Sequence, residues 1–368
     1  MLKMDLFSKA GPTIPAYYKQ MSDQDLIKRA SYIKSELGDT LFIPGHHYQK
    51  DEVIQFADVT GDSLQLARLS ASNQTARYIV FCGVHFMAET ADILTNDEQT
   101  VILPDMRAGC SMADMATKDQ TESAWEKLTD EFGDTIIPLT YVNSSAEIKA
   151  FVGRNGGATV TSSNAKAMLE WAFTKKKRIL FLPDQHLGRN TAYELGIPLD
   201  EMVIWNQLTE EVEGSCKKDK VKMILWKGHC SVHEKFRLEH VHKIRAEEPE
   251  RKIIVHPECT WDVVDASDDA GSTKYIIDQI KAAPKGTKWA IGTEMNLVNR
   301  LMNTHRDQSI RSLNPDMCPC LTMNRIDLPH FVWTLEQIAE EQPVNVIKVD
   351  EETAQSAKLA IERMFTCV

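Results

Sequence analysis

The chain has 368 residues, enough for about two or three domains at roughly 150 residues each, so a small disulfide-stapled scaffold is excluded. Its 42 Lys and Arg against 53 Asp and Glu leave a net charge of −11, which gives nucleic acid and anionic membranes no electrostatic hold and points to small-molecule partners. With 43 % hydrophobic and 26 % charged residues the composition is that of a globular protein, and no apolar run reaches the roughly 20 residues that a spanning helix needs.

In chain order, short β-rich runs stand at Leu41-Phe42-Ile43, Tyr78-Ile79-Val80-Phe81, Thr100-Val101-Ile102-Leu103, Thr135-Ile136-Ile137, Ala158-Thr159-Val160, Arg178-Ile179-Leu180-Phe181-Leu182, Met223-Ile224-Leu225-Trp226, Ile253-Ile254-Val255 and Trp289-Ala290-Ile291. They are continuously apolar rather than alternating, which predicts buried parallel strands. Helical spacing of apolar residues marks the stretches from Ala165 to Lys175, Lys274 to Ala283 and Glu294 to Asn303. The alternation predicts an α/β protein with several small parallel sheets covered by helices. The opening Met1-Leu2-Lys3-Met4-Asp5 lacks the basic start and apolar stretch of an export signal, so the expected location is cytoplasmic.

Nearly every run ends in a polar or glycine-bearing cluster: Gly45-His46-His47-Tyr48-Gln49, Cys82-Gly83-Val84-His85, Tyr141-Val142-Asn143, Thr161-Ser162-Ser163-Asn164, Pro183-Asp184-Gln185-His186, Gly228-His229-Cys230, His256-Pro257-Glu258-Cys259 and Gly292-Thr293-Glu294. One such loop alone is an ordinary turn or helix cap. A whole series of them, several with His or Cys, places chemistry at the carboxyl ends of the strands, where open α/β sheets bind ligands.

Eight cysteines lie at 82, 110, 216, 230, 259, 318, 320 and 367. In a reducing compartment they read as metal ligands, reactive thiols or small core residues rather than a disulfide framework. Cys110, Cys230 and Cys320 fall about one per third of the chain, and three such thiolates would leave a metal centre one protein ligand short of four, the open position a Lewis-acidic metal needs. Spacing alone leaves Cys318 and Cys320 both open as the third. His46, His256 and Glu258 can exchange protons if tuned, Tyr48 and Tyr141 can donate to developing oxyanions, and Asn143, Ser63, Ser162, Ser272 and Thr273 offer neutral donors to carboxylate or phosphate. Gly153-Arg154-Asn155-Gly156-Gly157 lacks the spacing of a dinucleotide loop, and no phosphate-binding Walker loop is present.

These motifs, together with Gly61-Asp62-Ser63, Ala108-Gly109-Cys110-Ser111, His229-Cys230-Ser231-Val232-His233 and Asp269-Ala270-Gly271-Ser272-Thr273, run in order from about residue 41 to 325, and the set closely resembles the quinolinate synthase family. The resemblance implies a transferase of NAD biosynthesis that condenses iminoaspartate with dihydroxyacetone phosphate to quinolinate, phosphate and water. It implies a [4Fe-4S] cluster held by Cys110, Cys230 and Cys320, whose iron acts as a Lewis acid. It assigns catalytic roles to Glu258, Tyr48, His46, His256 and Tyr141, and substrate contacts to His46, Ser63, Tyr141, Val142, Asn143, Ser162, His256, Pro257, Glu258, Thr273 and His233. Three similar α/β/α domains around a pseudo-threefold axis are implied, expected at 1–118 with the tail 321–368, at 119–232 and at 233–320, and an L-aspartate oxidase is the implied supplier of iminoaspartate. Some members carry Cys-x-x-Cys-x-x-Cys near the third ligand, where this chain has only Cys318-Pro319-Cys320.

Overall fold

A computed structural model of the chain describes residues 11–366. It divides into two compact units, one of Met1–Cys110 with Pro319–Val349 and the other of Ser111–Cys318 with Asp350–Val368. In chain order the strands are β1 (Leu41–Phe42), β2 (Pro44–His46), β3 (Val59–Gly61), β4 (Tyr78–Val80), β5 (Thr100–Ile102), β6 (Ile136–Tyr141), β7 (Ala158–Val160), β8 (Arg178–Leu182), β9 (Met202–Asn206), β10 (Glu211–Glu213), β11 (Met223–Trp226), β12 (Lys252–Val255), β13 (Asp269–Ala270), β14 (Lys288–Gly292), β15 (Ser309–Ser312) and β16 (Val346–Ile347).

The first unit holds a four-stranded sheet in the order β1-β4-β5-β16 and the pair β2-β3, and the second holds a six-stranded sheet, β10-β9-β11-β8-β6-β7, and a four-stranded one, β13-β12-β14-β15. This is the expected mixed α/β class, several small and mainly parallel sheets flanked by helices. Each of the nine apolar runs forms a strand; seven are central, where covering on both faces demands apolar residues throughout, and β1 and β7 are buried edge strands, while β4, β8 and β11 are buried along their whole length.

Two pairings depart from the parallel expectation, β10 with β9 and β16 with β5, both antiparallel. Only residues 207–210 join β9 to β10, too few for a crossover, so the chain turns back as a hairpin with Glu210 at φ 55°. The resulting edge strand carries Glu211 and Glu213, charges that discourage pairing with another chain.

Within the second unit the last helix, Glu351–Thr366, packs on the helix Ala146–Arg154, and Ala360 joins Phe151 and Val152 in one core cluster. The approach is close enough that a Cβ on Gly153 would lie 2.0 Å from the Ser356 carbonyl oxygen. Arg363 Nη1 donates to the carbonyls of Gly153 and Gly157 at 3.0 and 2.6 Å. The glycine-rich run at 153–157 is therefore a seat for the last helix. Among the described residues no helix is long and apolar enough to cross a membrane.

Candidate active site

In the second unit the end of β6 and the loop after β12 bring Tyr141 and Glu258 together with His233. Tyr141 donates its hydroxyl to Glu258 Oε1 at 2.6 Å, and His233 Nδ1 lies 2.7 Å from Glu258 Oε2. The same nitrogen is 3.3 Å from Cys230 Sγ, and His233 Nε2 is 3.2 Å from Thr293 Oγ1. A carboxylate can only accept, so His233 Nδ1 carries a proton and donates it to Glu258. The His256 ring stacks on His233 with centroids 4.6 Å apart, and its Nδ1 accepts the backbone N–H of Glu258 at 3.3 Å. All of these side chains except Cys230 are buried.

Electrostatics separates the roles of these groups. Burial pushes the Glu258 carboxyl up, but the His233 and His256 rings and the hydrogen bonds from His233 and Tyr141 outweigh it and hold the group below the usual carboxylate range. Burial pulls His256 down to about 3, against the pull of Glu258, so this imidazole is neutral at physiological pH and His233, with the Tyr141 hydroxyl, is left as the main support of the carboxylate. Asp184, at the end of β8, is fully buried and raised to about 8 by burial and by the charge of Glu258. Two carboxyl groups in one interior are thus driven to opposite protonation states, the pattern of an acid and base pair.

The other expected contacts of this unit also stand at strand ends. Asn143 follows β6, and its Oδ1 is buried without a hydrogen-bond partner. Ser162 follows β7 and is half-buried. Val142 is buried, and its backbone N–H pairs with the Val160 carbonyl. The Pro257 carbonyl accepts Asn190 Nδ2 at 2.8 Å, which fixes the loop that carries Glu258. Thr273 is the buried first residue of the helix Thr273–Ala282, whose N-cap Ser272 spends its hydroxyl on the Tyr275 N–H.

In the first unit His46 ends β2, buried, with Nδ1 accepting the Tyr48 N–H at 3.2 Å and the Tyr48 ring edge-on at 4.7 Å. Ser63 is the first residue of the helix Ser63–Ser72, capped by Asp62 and Gln65 in a reciprocal capping box. His46 and Tyr48 are therefore brought together, as are Tyr141, His233, His256 and Glu258 in the other unit.

Three cysteines share one backbone frame. Cys110, Cys230 and Cys320 each stand three residues before a 3-10 turn, Ala113–Met115, His233–Lys235 and Met323–Arg325. Each stands eight residues before an α-helix, Lys118–Phe132, Leu238–Glu247 and Leu328–Ala339. Cys320 keeps this register and Cys318 does not. The three are part-exposed. Cys82 and Cys259 are fully buried, and burial pushes both thiols far up, which opposes the thiolate a metal needs. Cys367 lies outside the described residues. Cys230 Sγ, His233 and Glu258 also form a group whose ligand atoms lie within 4.8 Å of one another and could hold a single ion.

Sequence reasoning gave no role to Asp184 or to Thr293, although both stand in strand-end loops of the kind that carry the other site residues. Their signal is position rather than residue type, since a lone Asp or Thr after a strand is most often a cap; Asp184 indeed also caps the helix Gln185–Glu194.

Residues 28–366 match the model of the quinolinate synthetase A protein family. The quinolinate synthase of Geobacillus thermodenitrificans is 68 % identical over 352 residues, 96 % of both chains. Those of Bacillus subtilis and Bacillus anthracis are each 64 % identical, over 363 residues (99 % of both chains) and 365 residues (98 % of this chain and 99 % of the other). With a family match and this identity over nearly the whole length, the chain belongs to the quinolinate synthase family, enzymes of NAD biosynthesis.

Proposed function

We propose that the protein condenses iminoaspartate with dihydroxyacetone phosphate to form quinolinate, phosphate and water. The observation that carries this reading is the buried Tyr141–Glu258–His233 hydrogen-bonded chain beside Cys230. A [4Fe-4S] cluster would be held by Cys110, Cys230 and Cys320, supported by their common frame and exposure. When bound it supplies a Lewis-acidic iron with one open position.

The protein's own residues handle protons and orientation. Glu258, kept ionised by two close hydrogen bonds, is the base that takes a proton from a carbon or nitrogen of the condensing substrates, and Tyr141 returns one to a developing oxyanion. His233 holds the second carboxylate oxygen, and Thr293 fixes the ring. His256, neutral and stacked on His233, is a hydrogen-bonding group for substrate rather than a cation. Asn143, Ser162 and Thr273 hold carboxylate and phosphate oxygens, and the family resemblance also assigns His46, Tyr48 and Ser63 to substrate. Dehydration and phosphate release need the leaving oxygens protonated, and Asp184, raised to about 8, is a protonated carboxyl beside the charge of Glu258.

The test is anaerobic formation of quinolinate from both substrates by the purified chain, with iron and acid-labile sulfide measured on the same sample. Turnover by brown protein that air inactivates and iron with sulfide restores is the expected result. Full turnover by metal-free, air-exposed protein would overturn the cluster. The Cys230, His233 and Glu258 group supports a second reading, a single zinc ion in a carbonyl-chemistry enzyme; one zinc with no sulfide would select it.

A further inference from the structure

The three cysteine frames share a backbone but differ at the second residue after each cysteine. Met112 and Val232 hold that position behind Cys110 and Cys230, both buried, and neither side chain can donate a hydrogen bond. Behind Cys320 the position is taken by Thr322, which is half-buried.

Each of these residues is the N-cap of its 3-10 turn. A threonine at a helix N-cap ordinarily turns its hydroxyl to accept a backbone N–H, as Thr117 does from Gln120 at 3.3 Å. Thr322 makes no such cap bond. The turn closes through backbone instead, with the Asn324 N–H given to the Cys320 carbonyl at 3.0 Å and the Arg325 N–H to the Thr322 carbonyl at 3.2 Å. The Thr322 hydroxyl is left for the sulfur, and Oγ1 stands 3.4 Å from Cys320 Sγ.

The direction of this contact follows from what a metal ligand is. A cysteine that binds iron is a thiolate with no proton to give, so Thr322 Oγ1–H donates and Cys320 Sγ accepts. Such a bond draws negative charge onto the hydroxyl and away from the metal, which makes an iron–sulfur cluster easier to reduce and its open iron more electrophilic. The histidine beside Cys230 is differently engaged: His233 Nδ1 lies 3.3 Å from that sulfur but commits its proton to Glu258 at 2.7 Å.

We propose that Thr322 is a positioning residue for the metal centre: its hydroxyl donates to the Cys320 thiolate and through that ligand strengthens the iron as a Lewis acid. The inference rests on the proposed three-cysteine cluster and extends it to a residue that acts through a ligand.

Anaerobic potentiometric titration of the holo-protein, followed by the visible absorbance of the cluster, tests this, with iron and acid-labile sulfide measured on the same samples. Thr322→Val keeps the branched shape and removes the hydroxyl. At the parent's midpoint its oxidised-to-reduced ratio should rise about 3- to 10-fold, a fall in potential of about 30–60 mV for one electron. Thr322→Ser, which keeps the hydroxyl, should return the potential to that of the parent. A substitution that merely loosened packing would lower the melting temperature without this split between valine and serine. If Thr322→Val does not hold iron, Thr322→Ala takes its place in the titration; iron lost from both but kept by Thr322→Ser would itself show that the hydroxyl supports the ligand. An unchanged potential in Thr322→Val, an equal fall in Thr322→Ser, or iron lost from all three variants would overturn the proposal and leave the cluster standing. Parent protein reconstituted with iron and sulfide that retains neither would overturn the cluster, and this inference with it.

Discussion

Glu258 keeps its charge in a place where burial alone would remove it, because Tyr141 and His233 each commit a donor to one of its oxygens. Glu258→Gln retains the shape and one acceptor but loses the base, so turnover should fall by at least about 10²-fold while the fold and any bound iron stay in place. Kinetics with an iron assay on the same sample checks this, and near-normal turnover would reduce Glu258 to a structural residue. The sequence marked Glu258 through its place after an apolar run, and His256 through adjacency. It did not reveal that His233, from a loop 25 positions earlier, holds the carboxylate, nor that Asp184 shares its field. Such pairings are set by tertiary packing and leave no local pattern.

At the scale of elements, the common frame behind the three cysteines is carried by backbone rather than by residue type. Ser111, Ser231 and Leu321 follow the cysteines, and Ala113, His233 and Met323 open the 3-10 turns, so side-chain patterns hide what the equal spacing to turn and helix displays. Because Cys320 holds the register and Cys318 lies two positions outside it, Cys110→Ala, Cys230→Ala and Cys320→Ala should each give colourless, inactive protein. Cys318→Ala should retain iron and substantial activity, as should replacements of Cys82, Cys216 and Cys259 that keep the fold. Iron lost in Cys318→Ala but kept in Cys320→Ala would reverse the choice. Helix packing gives a second expectation. A Cβ on Gly153 would meet the backbone of the last helix at 2.0 Å, where no flexible side chain can yield, so Gly153→Ala should destabilise the second unit by about 1–3 kcal/mol in denaturant titration. The sequence could set this glycine run aside as a nucleotide loop but could not supply its purpose, since its partner lies some 200 residues away.

Over the whole molecule, the strands readable in advance were continuously apolar runs, seven of them interior to a sheet, where both faces are covered, and two, β1 and β7, buried at an edge. Six of the seven that escaped notice stand at a sheet edge or in the β2-β3 pair, where sequence is less constrained. The exception is β9, an apolar interior strand whose Met202-Val203-Ile204-Trp205 run was legible. The interior at the strand ends also sets how the protein responds to pH. His256 and His186 titrate near 3 and 4 in the folded chain, below about 6.5 when unfolded, so their contribution is present above pH 6.5 and is lost as pH falls. Asp184 behaves oppositely: raised to about 8 from about 4, its contribution is present below pH 4 and is lost as pH rises toward 8. Between pH 4 and 6.5 two histidines outweigh one aspartate, and above 6.5 the aspartate acts alone, which places the maximum of their joint contribution near pH 6.5. Asp184→Asn, which imitates the protonated acid and keeps an oxygen for the helix cap, should flatten the fall in melting temperature between pH 6.5 and 8.5 and steepen the rise between pH 4 and 6.5, where the aspartate no longer offsets the histidines. Glu258→Gln should flatten the same limb in part, because the charge that helps raise Asp184 is gone. An alkaline slope identical in parent and Asp184→Asn would show that Asp184 is ionised in the folded protein.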